Sequence, residues 1–306
     1  MQEIQQSLAA LKLGAPKVFR NLALYPLVSQ ADARAGYVLL DEALERRLAR
    51  VTEVSEGGRV PELAFENSSA EKILLVDGDE LVGAKQNRIL NLSVLVAGGA
   101  RVVIPVSCVE QGRWAWRSRE FSSGDSLFAS ARAKKMRHVS ASLRDSGVGY
   151  ADQGEIWADV AEKVRSSRSA SATSSMSDAY AARSRAIGEY VAAFFPELRQ
   201  CGAVLAIDGR VSGLELFDSP AAFARYLPKL VRGYALDAVE TANGKVLAPP
   251  ETEVRRFLER VGAAGAERFA ALGEGEDIRL SGEGLAGGAL AAGGRVVHLA
   301  AHGVAR

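Results

Sequence analysis

The hydrophobic period of this chain changes near residue 120, and that change narrows the fold more than any other feature. Up to Trp116 the apolar residues recur with the two-residue period of strands, as at 18–28, 37–40, 63–66 and 73–76. From Phe121 onward they recur with the 3.6-residue period of helices, as in Ile156, Trp157, Val160 and Val164. Strands first and helices mostly later argue for an α+β chain and against a strictly alternating βαβ one. The expected form is an N-terminal, mainly antiparallel sheet of sandwich or barrel-like type, followed by helices and a second hairpin and helix region. The chain divides accordingly into a mainly β region at 17–120 and a mixed helical and β region at 121–306, packed together as one structural unit.

Local signals fill in this outline. Ile4, Leu8 and Leu11 ahead of Gly14-Ala15-Pro16 predict a short amphipathic helix over 4–13. Ile187, Tyr190, Val191, Phe194 and Phe195 mark a helix that stops at Pro196. Between the two helical patterns, the serine-rich run 166–177 has little to bury and reads as a flexible surface connection, or, functionally, as a lid. Asp208-Gly209 between two apolar runs predicts a tight hairpin turn. Asp218-Ser219-Pro220 predicts the start of a helix that buries Phe223, Leu227, Leu230, Val231 and Tyr234. A helix over 253–261 and closing strands at 278–280 and 295–300 complete the pattern.

With 306 residues the chain can bury a full core without a staple. Its only cysteines are Cys108 and Cys201, its start is polar, and no apolar stretch approaches the ~20 residues of a membrane span. A reduced, cytoplasmic protein with no membrane partner is the natural expectation. The formal net charge of +1 argues against a dedicated DNA-binding surface. Small anionic ligands need only a few placed cations.

Such cations occur in one stretch. The apolar runs 89–96 and 102–109 flank Ala97-Gly98-Gly99-Ala100 and predict a β-hairpin, which would bring Lys85, Gln86, Asn87 and Arg88 to the same sheet end as Ser107, Cys108, Glu110, Arg113 and Trp114. Lys85, Arg88 and Arg113 could hold phosphate or carboxylate, and Trp114 could stack on a base. Asp77, Asp79, Glu80 and Glu110 could act as acid or base, with Glu80 and Glu110 the catalytic candidates, or could hold Mg²⁺ through mostly water ligands. The plain alternative is a solvated sheet end of turn residues and cross-strand ion pairs.

Other motifs are weaker. Gly282-Glu283-Gly284-Leu285-Ala286-Gly287 matches the dinucleotide-binding pattern in letters, but the chain ends too soon for the acidic residue that should follow. Gly124-Asp125-Ser126-Leu127 spells the nucleophile block of the GDSL esterases, yet no Asp-x-x-His follows, so a helix N-terminus is the simpler reading. His298 and His302 are four apart in what reads as a strand, too far for one metal. Cys108 shares strand parity with Ile104 and Val106, so a buried thiol competes with a nucleophile.

The blocks Gly78-Asp79-Glu80-Leu81-Val82-Gly83-Ala84-Lys85-Gln86-Asn87-Arg88 and Ile104-Pro105-Val106-Ser107-Cys108-Val109-Glu110-Gln111-Gly112-Arg113-Trp114 resemble the ADP-ribosylglycohydrolase and rhodanese-phosphatase-associated protein domain family of prokaryotes. Phe217-Asp218-Ser219-Pro220 and Tyr234-Ala235-Leu236-Asp237 resemble its later blocks, so the likeness spans about 18–237 and leaves 273–306 unmatched. The resemblance implies a role near ADP-ribosyl, nucleotide or RNA-end metabolism and assigns no catalytic residue. It supports the expectation of a protein that binds and could process an anionic nucleotide-like ligand. The alternatives are a non-catalytic partner or scaffold of an ADP-ribose- or phosphate-processing enzyme and, more distantly, a GDSL-like serine esterase.

Overall fold

The computed structural model describes residues 1–30, 35–242 and 248–303. Among the described residues it has eight helices and eighteen strands in a mixed α+β arrangement, with antiparallel N-terminal sheets that curl into a half-barrel, then helices, then C-terminal strands. One six-stranded sheet contains Asp79–Gly83, Arg88–Leu90 and Arg101–Cys108. A nine-stranded sheet joins Leu22–Ser29 to the hairpin Gln200–Ile207/Arg210–Phe217 and to the closing strands Arg295–Gly303, Leu285–Ala292, Glu276–Gly282 and Gly265–Ala270. A small three-stranded sheet contains the parallel pair Tyr37–Leu39 and Lys72–Leu75.

The helix Pro220–Thr241 is the centre of the molecule. It lies on the strand Gln200–Ile207 and also meets Phe121–Ser126 of the six-stranded sheet. Pro220 begins it, where a missing N–H costs nothing, and Phe223, Leu227, Leu230, Val231 and Tyr234 are all buried as the pattern predicts. The opposite face of the nine-stranded sheet is covered by the helices Gln2–Ala9 and Glu251–Gly262 through Ile4, Val254, Phe257 and Val261. Asp208 and Gly209 both adopt positive φ, at 51° and 74°, which gives the hairpin the turn twist that suits two antiparallel strands.

Several expectations need correction. The opening helix ends at Ala9, and Leu11–Leu13 instead pairs with Leu27, Val28 and Ser29, because alternate leucines suit a half-buried strand. The hairpin over 89–96 and 102–109 forms only at its polar end, where Leu90, Ile89 and Arg88 face Val106, Ser107 and Cys108. The rest leaves for another sheet, with Val94–Val96 pairing with Ile73–Leu75. The break has a cause: Asn91 Nδ2 donates to the Gly149 carbonyl at 3.0 Å, and the Ser93 hydroxyl accepts from Asp77 N at 3.0 Å. Asn91 N still donates to the Pro105 carbonyl across the ladder at 3.2 Å, so the strand departs after Asn91, where these side-chain contacts lie. The strands Gly265–Ala270 and Leu285–Ala292 were not expected, since neither has the β-branched composition of a typical strand. Gly282-Glu283-Gly284 is the turn between two strands, and the strand Phe121–Ser126 occupies the place where a helix N-terminus was expected.

Candidate functional site

Three consecutive strands build the polar cluster. Their register sets Glu80 beside Ile89 and Ser107 in one row, and Leu81 beside Arg88 and Cys108 in the next. Adjacent rows point to opposite faces of a pleated sheet, so Glu80 and Ser107 do not share a face with Arg88 and Cys108. The residues converge instead at the sheet end, around the turn from Gly83 to Asn87. Ala84 takes a positive φ of 37° there, and Asn87 Oδ1 accepts from Gly83 N at 3.1 Å to close the turn.

Arg113 holds this turn from below. Its Nη1 donates to the Ala84 carbonyl at 2.6 Å, and its Nη2 reaches the Gly83 carbonyl at 3.1 Å, Asn87 Oδ1 at 3.2 Å and Glu110 Oε2 at 2.6 Å. Glu110 also accepts from Asn87 N at 3.1 Å and from Thr173 Oγ1 at 3.0 Å. Burial works to raise the Glu110 carboxyl, but the bonds from Arg113, Asn87 N and Thr173 hold it below its ordinary value. Gln86 Nε2 donates to the Glu110 carbonyl at 3.1 Å.

Glu80 has the opposite environment. It is buried, accepts from Ser177 Oγ at 2.7 Å and from Asp125 N at 3.3 Å, and has no cation within ion-pair distance among the described residues. Burial, with the charges of Asp125 and Glu110 added, pushes its pKa up to about 7. The two carboxyls are joined through Asn87, whose Nδ2 donates to Ser177 Oγ at 3.0 Å. Two acids thus have pKa values driven apart within one hydrogen-bonded chain.

The outward corner carries Lys85, Trp114 and Trp116. Lys85 Nζ donates to the Gly57 carbonyl at 2.8 Å and lies 5.3 Å and 5.1 Å from the two indole centroids. Trp114 and Trp116 are 46% and 47% exposed, so each keeps a free face. Beneath Trp114, at 5.6 Å, lies the fully buried guanidinium of Arg88. Arg88 Nε donates to the Val60 carbonyl at 3.1 Å, while among the described residues its Nη2 has no partner, as is also true of Arg113 Nε, Gln86 Oε1 and Glu53 Oε2. Burial lowers the Arg88 pKa, only partly offset by Cys108 and Glu53 nearby. Ser107 lies apart from this corner and donates to Asn91 Oδ1 at 2.9 Å. Cys108 is buried, its thiol is pushed up by desolvation, and its Sγ accepts from Glu110 N at 3.4 Å.

A family model described as the ARG and Rhodanese-Phosphatase-superfamily-associated Protein domain, ARPP-1, matches residues 10–302. The chain belongs to this family. The match runs through the glycine-rich end and is therefore longer than the likeness read from the sequence blocks. No curated protein and no solved structure matches the chain.

In this ARPP-1 chain the acidic residues near Glu80 diverge. Asp77 pairs with Lys135, whereas Asp79 accepts from Tyr226 at 2.9 Å and lies 3.7 Å from Lys229 Nζ. Burial and the nearby Asp41 raise Asp79 to about 7 against the pull of Lys229. Among the described residues no group of three or more His, Cys, Asp or Glu side chains is placed to hold a metal ion. Among the described residues Ser126 Oγ, which is buried, has no hydrogen-bond partner, so none of them places a base in contact with the serine of the GDSL-like block. His298 and His302 are fully buried. His298 Nε2 lies 2.9 Å from Glu215 Oε1, and its Nδ1 shares a hydrogen bond with Ser93 at 2.9 Å.

Sequence reasoning missed the residues that close the ARPP-1 cluster from the far side. Thr173, Ser175 and Ser177 belong to the serine-rich run, which is not a surface connection at this point. Ser175 is buried, Gly112 N donates to the Thr173 carbonyl at 2.8 Å, and Met176 N donates to the Val109 carbonyl at 2.9 Å. The only available signal was the density of hydroxyls, which suits side-chain bonding as well as solvation. No helix among the described residues is long and apolar enough to cross a membrane.

Proposed function

We propose that this protein binds an anionic, nucleotide-like ligand at the Lys85–Trp114–Trp116 corner. The observation that carries this reading is an ammonium held between two indoles that each keep an exposed face, with the buried Arg88 below them retaining an Nη2 amino group that has no partner among the described residues. A base or sugar would stack on Trp114, and an anionic group would meet Lys85 and the field of Arg88. Gln86, Asn87 and Arg113 shape the turn that presents Lys85, and Ser107 and Cys108 support the strand beneath it. If the ligand is processed, Glu80 is the proton-exchanging group and Glu110 the fixed negative charge, because their pKa values lie on opposite sides of the ordinary carboxylate range. Mg²⁺, where required, would arrive with the ligand's phosphates and waters.

Two of the three tryptophans lie at this corner, so intrinsic fluorescence reports on it directly. Titration with ADP-ribose, AMP and short RNA ends should quench wild-type emission, and Lys85→Ala should lose the response while keeping its fold. An unchanged response in Lys85→Ala and Trp114→Ala would refute the assignment. A partner or scaffold role beside an ADP-ribose- or phosphate-processing enzyme is favoured by a separate observation. Arg113 spends its fork on this chain's own carbonyls and on Glu110, as a structural arginine does. Silence with every ligand, together with co-purification of one defined enzyme, would select that reading.

A further inference from the structure

A second cavity lies away from this corner. It has a volume of about 1010 Å³ and opens between the helices Ala129–Ser146 and Glu251–Gly262 and the turns that hold Arg210 and Gly284. Four guanidiniums border it: Arg137 from the first helix, Arg210 from the hairpin, and Arg256 and Arg260 from the second helix. All four are exposed, and among the described residues none has a carboxylate within 4.0 Å. Arg260 Nη2 donates to the Glu283 carbonyl, whereas among the described residues Arg137, Arg210 and Arg256 make no side-chain hydrogen bond, in contrast to Arg113, whose donors are used internally. Lys134 also borders the cavity but is paired with Asp159 at 2.6 Å.

Acidic groups are present as well, and their partners decide how far they oppose an anion. Asp237 lies in the lining, but Lys163 Nζ reaches its Oδ1 at 2.6 Å, and Ser130 donates to it through both N and Oγ, at 2.7 Å and 3.0 Å. Its charge is thereby offset in part from within, by an ammonium that it shares with Glu240 at 2.6 Å. Glu253 and Glu283 also line the cavity, two carboxylates against four guanidiniums, so the lining keeps a cationic surplus. Ile207, Val211, Phe257 and Leu285 supply apolar wall between the charges.

We propose that this cavity binds a small molecule bearing two or more phosphate groups. The proposal goes beyond the Lys85 corner and does not rest on it. Arginine forks pair bidentately with phosphate oxygens, and a terminal phosphate carries close to two negative charges and three acceptors at neutral pH. Guanidiniums contributed by three separate elements require a ligand whose charges are spread over several groups; a single carboxylate would reach only one. The volume is at the upper end of the ~300–1,000 Å³ range of small-molecule sites, so a nucleoside-sized body fits along the apolar wall.

Titration calorimetry with tripolyphosphate as the probe, and with citrate as a carboxylate control, tests this. Wild type should bind tripolyphosphate at one site, with affinity falling as salt is raised. Arg137→Gln and Arg256→Gln should each weaken binding roughly tenfold or more, the loss expected for a charge-assisted contact. Their melting temperatures should stay close to wild type because both side chains are exposed, and Lys85→Ala should bind like wild type. Absence of tripolyphosphate binding, equal binding of citrate, or binding that survives both arginine substitutions would overturn the proposal. Loss on Lys85→Ala alone would do so too, while leaving the corner reading intact.

Discussion

Glu80→Gln should change the pH dependence of stability more than the stability itself. The folded carboxyl titrates near pH 7 and its reference value is 4.5. Below pH 4.5 the group is protonated in folded and unfolded chains alike and contributes no difference. Between 4.5 and 7 the unfolded chain has released the proton while the folded chain keeps it, so stability falls by about 1.4 kcal/mol per pH unit. The accumulated cost is about 3 kcal/mol above pH 7 and stays constant there. Glutamine removes this cost. It keeps an acceptor for Ser177 Oγ, at 2.7 Å in the wild type, but puts an N–H group where Oε2 now accepts from Asp125 N at 3.3 Å. That lost bond is worth about 1 kcal/mol. Glu80→Gln should therefore be about 1 kcal/mol less stable than wild type at pH 4.5 and about 2 kcal/mol more stable at pH 8. Urea denaturation at four pH values between these limits measures both ends. A pH-independent difference between the two proteins would show that Glu80 ionises normally and would remove it as a proton-exchanging group.

Asp79→Asn should likewise flatten the stability profile between pH 4 and 7, because burial raises Asp79 to about 7 from 3.8; a profile parallel to wild type would contradict it. Arg132→Met should cost about 3–5 kcal/mol by denaturant titration, since it strands Glu215, which Arg132 holds at 2.9 Å and 3.1 Å in the interior. Gly288→Ala should destabilise by about 1–3 kcal/mol, as a Cβ there would meet the guanidinium of buried Arg279; a melting temperature equal to wild type would refute that packing. Thr173→Val should cost about 1 kcal/mol through its lost bond to Glu110, and limited proteolysis should spare 173–177 in the wild type.

Local rules carried a large part of the fold. The Asp208-Gly209 turn and the Ser219-Pro220 helix start depend on neighbours a few positions away, and both appear as the sequence reads, whereas the helical part begins later than its period suggests, since Phe121–Ser126 is a strand and the first long helix starts at Ala129. Contacts distant in sequence account for the departures. The strand departs from its ladder after Asn91, where the side chains of Asn91 and Ser93 bond to Gly149 and Asp77, and the strand Leu285–Ala292 is built of small residues because Gly287 sits close to the Ala300 carbonyl and Gly288 lies under Arg279. The site was legible as a composition, since the turn 83–87 does meet Glu110 and Arg113. Its internal order was not: the parity that separates Glu80 from Arg88 follows from register, and the serines that close the cluster lie far along the chain.

The use made of each cation separates the two regions proposed for ligands. Arg113 in the cluster and Arg132 in the interior are tied to carbonyls and carboxylates of this chain, so each is part of the fold before any ligand arrives. Among the described residues Arg137, Arg210 and Arg256 have no such ties, and they contribute little to folding, because exposed unpaired charges are solvated in both states. Lys85 lies between these cases, bonded to one carbonyl yet flanked by exposed indoles. Stability and binding should therefore respond to different arginines. A variant set that spares the first group and changes the second tests recognition without disturbing the scaffold, and the same logic makes Lys85 the residue at which the two effects meet.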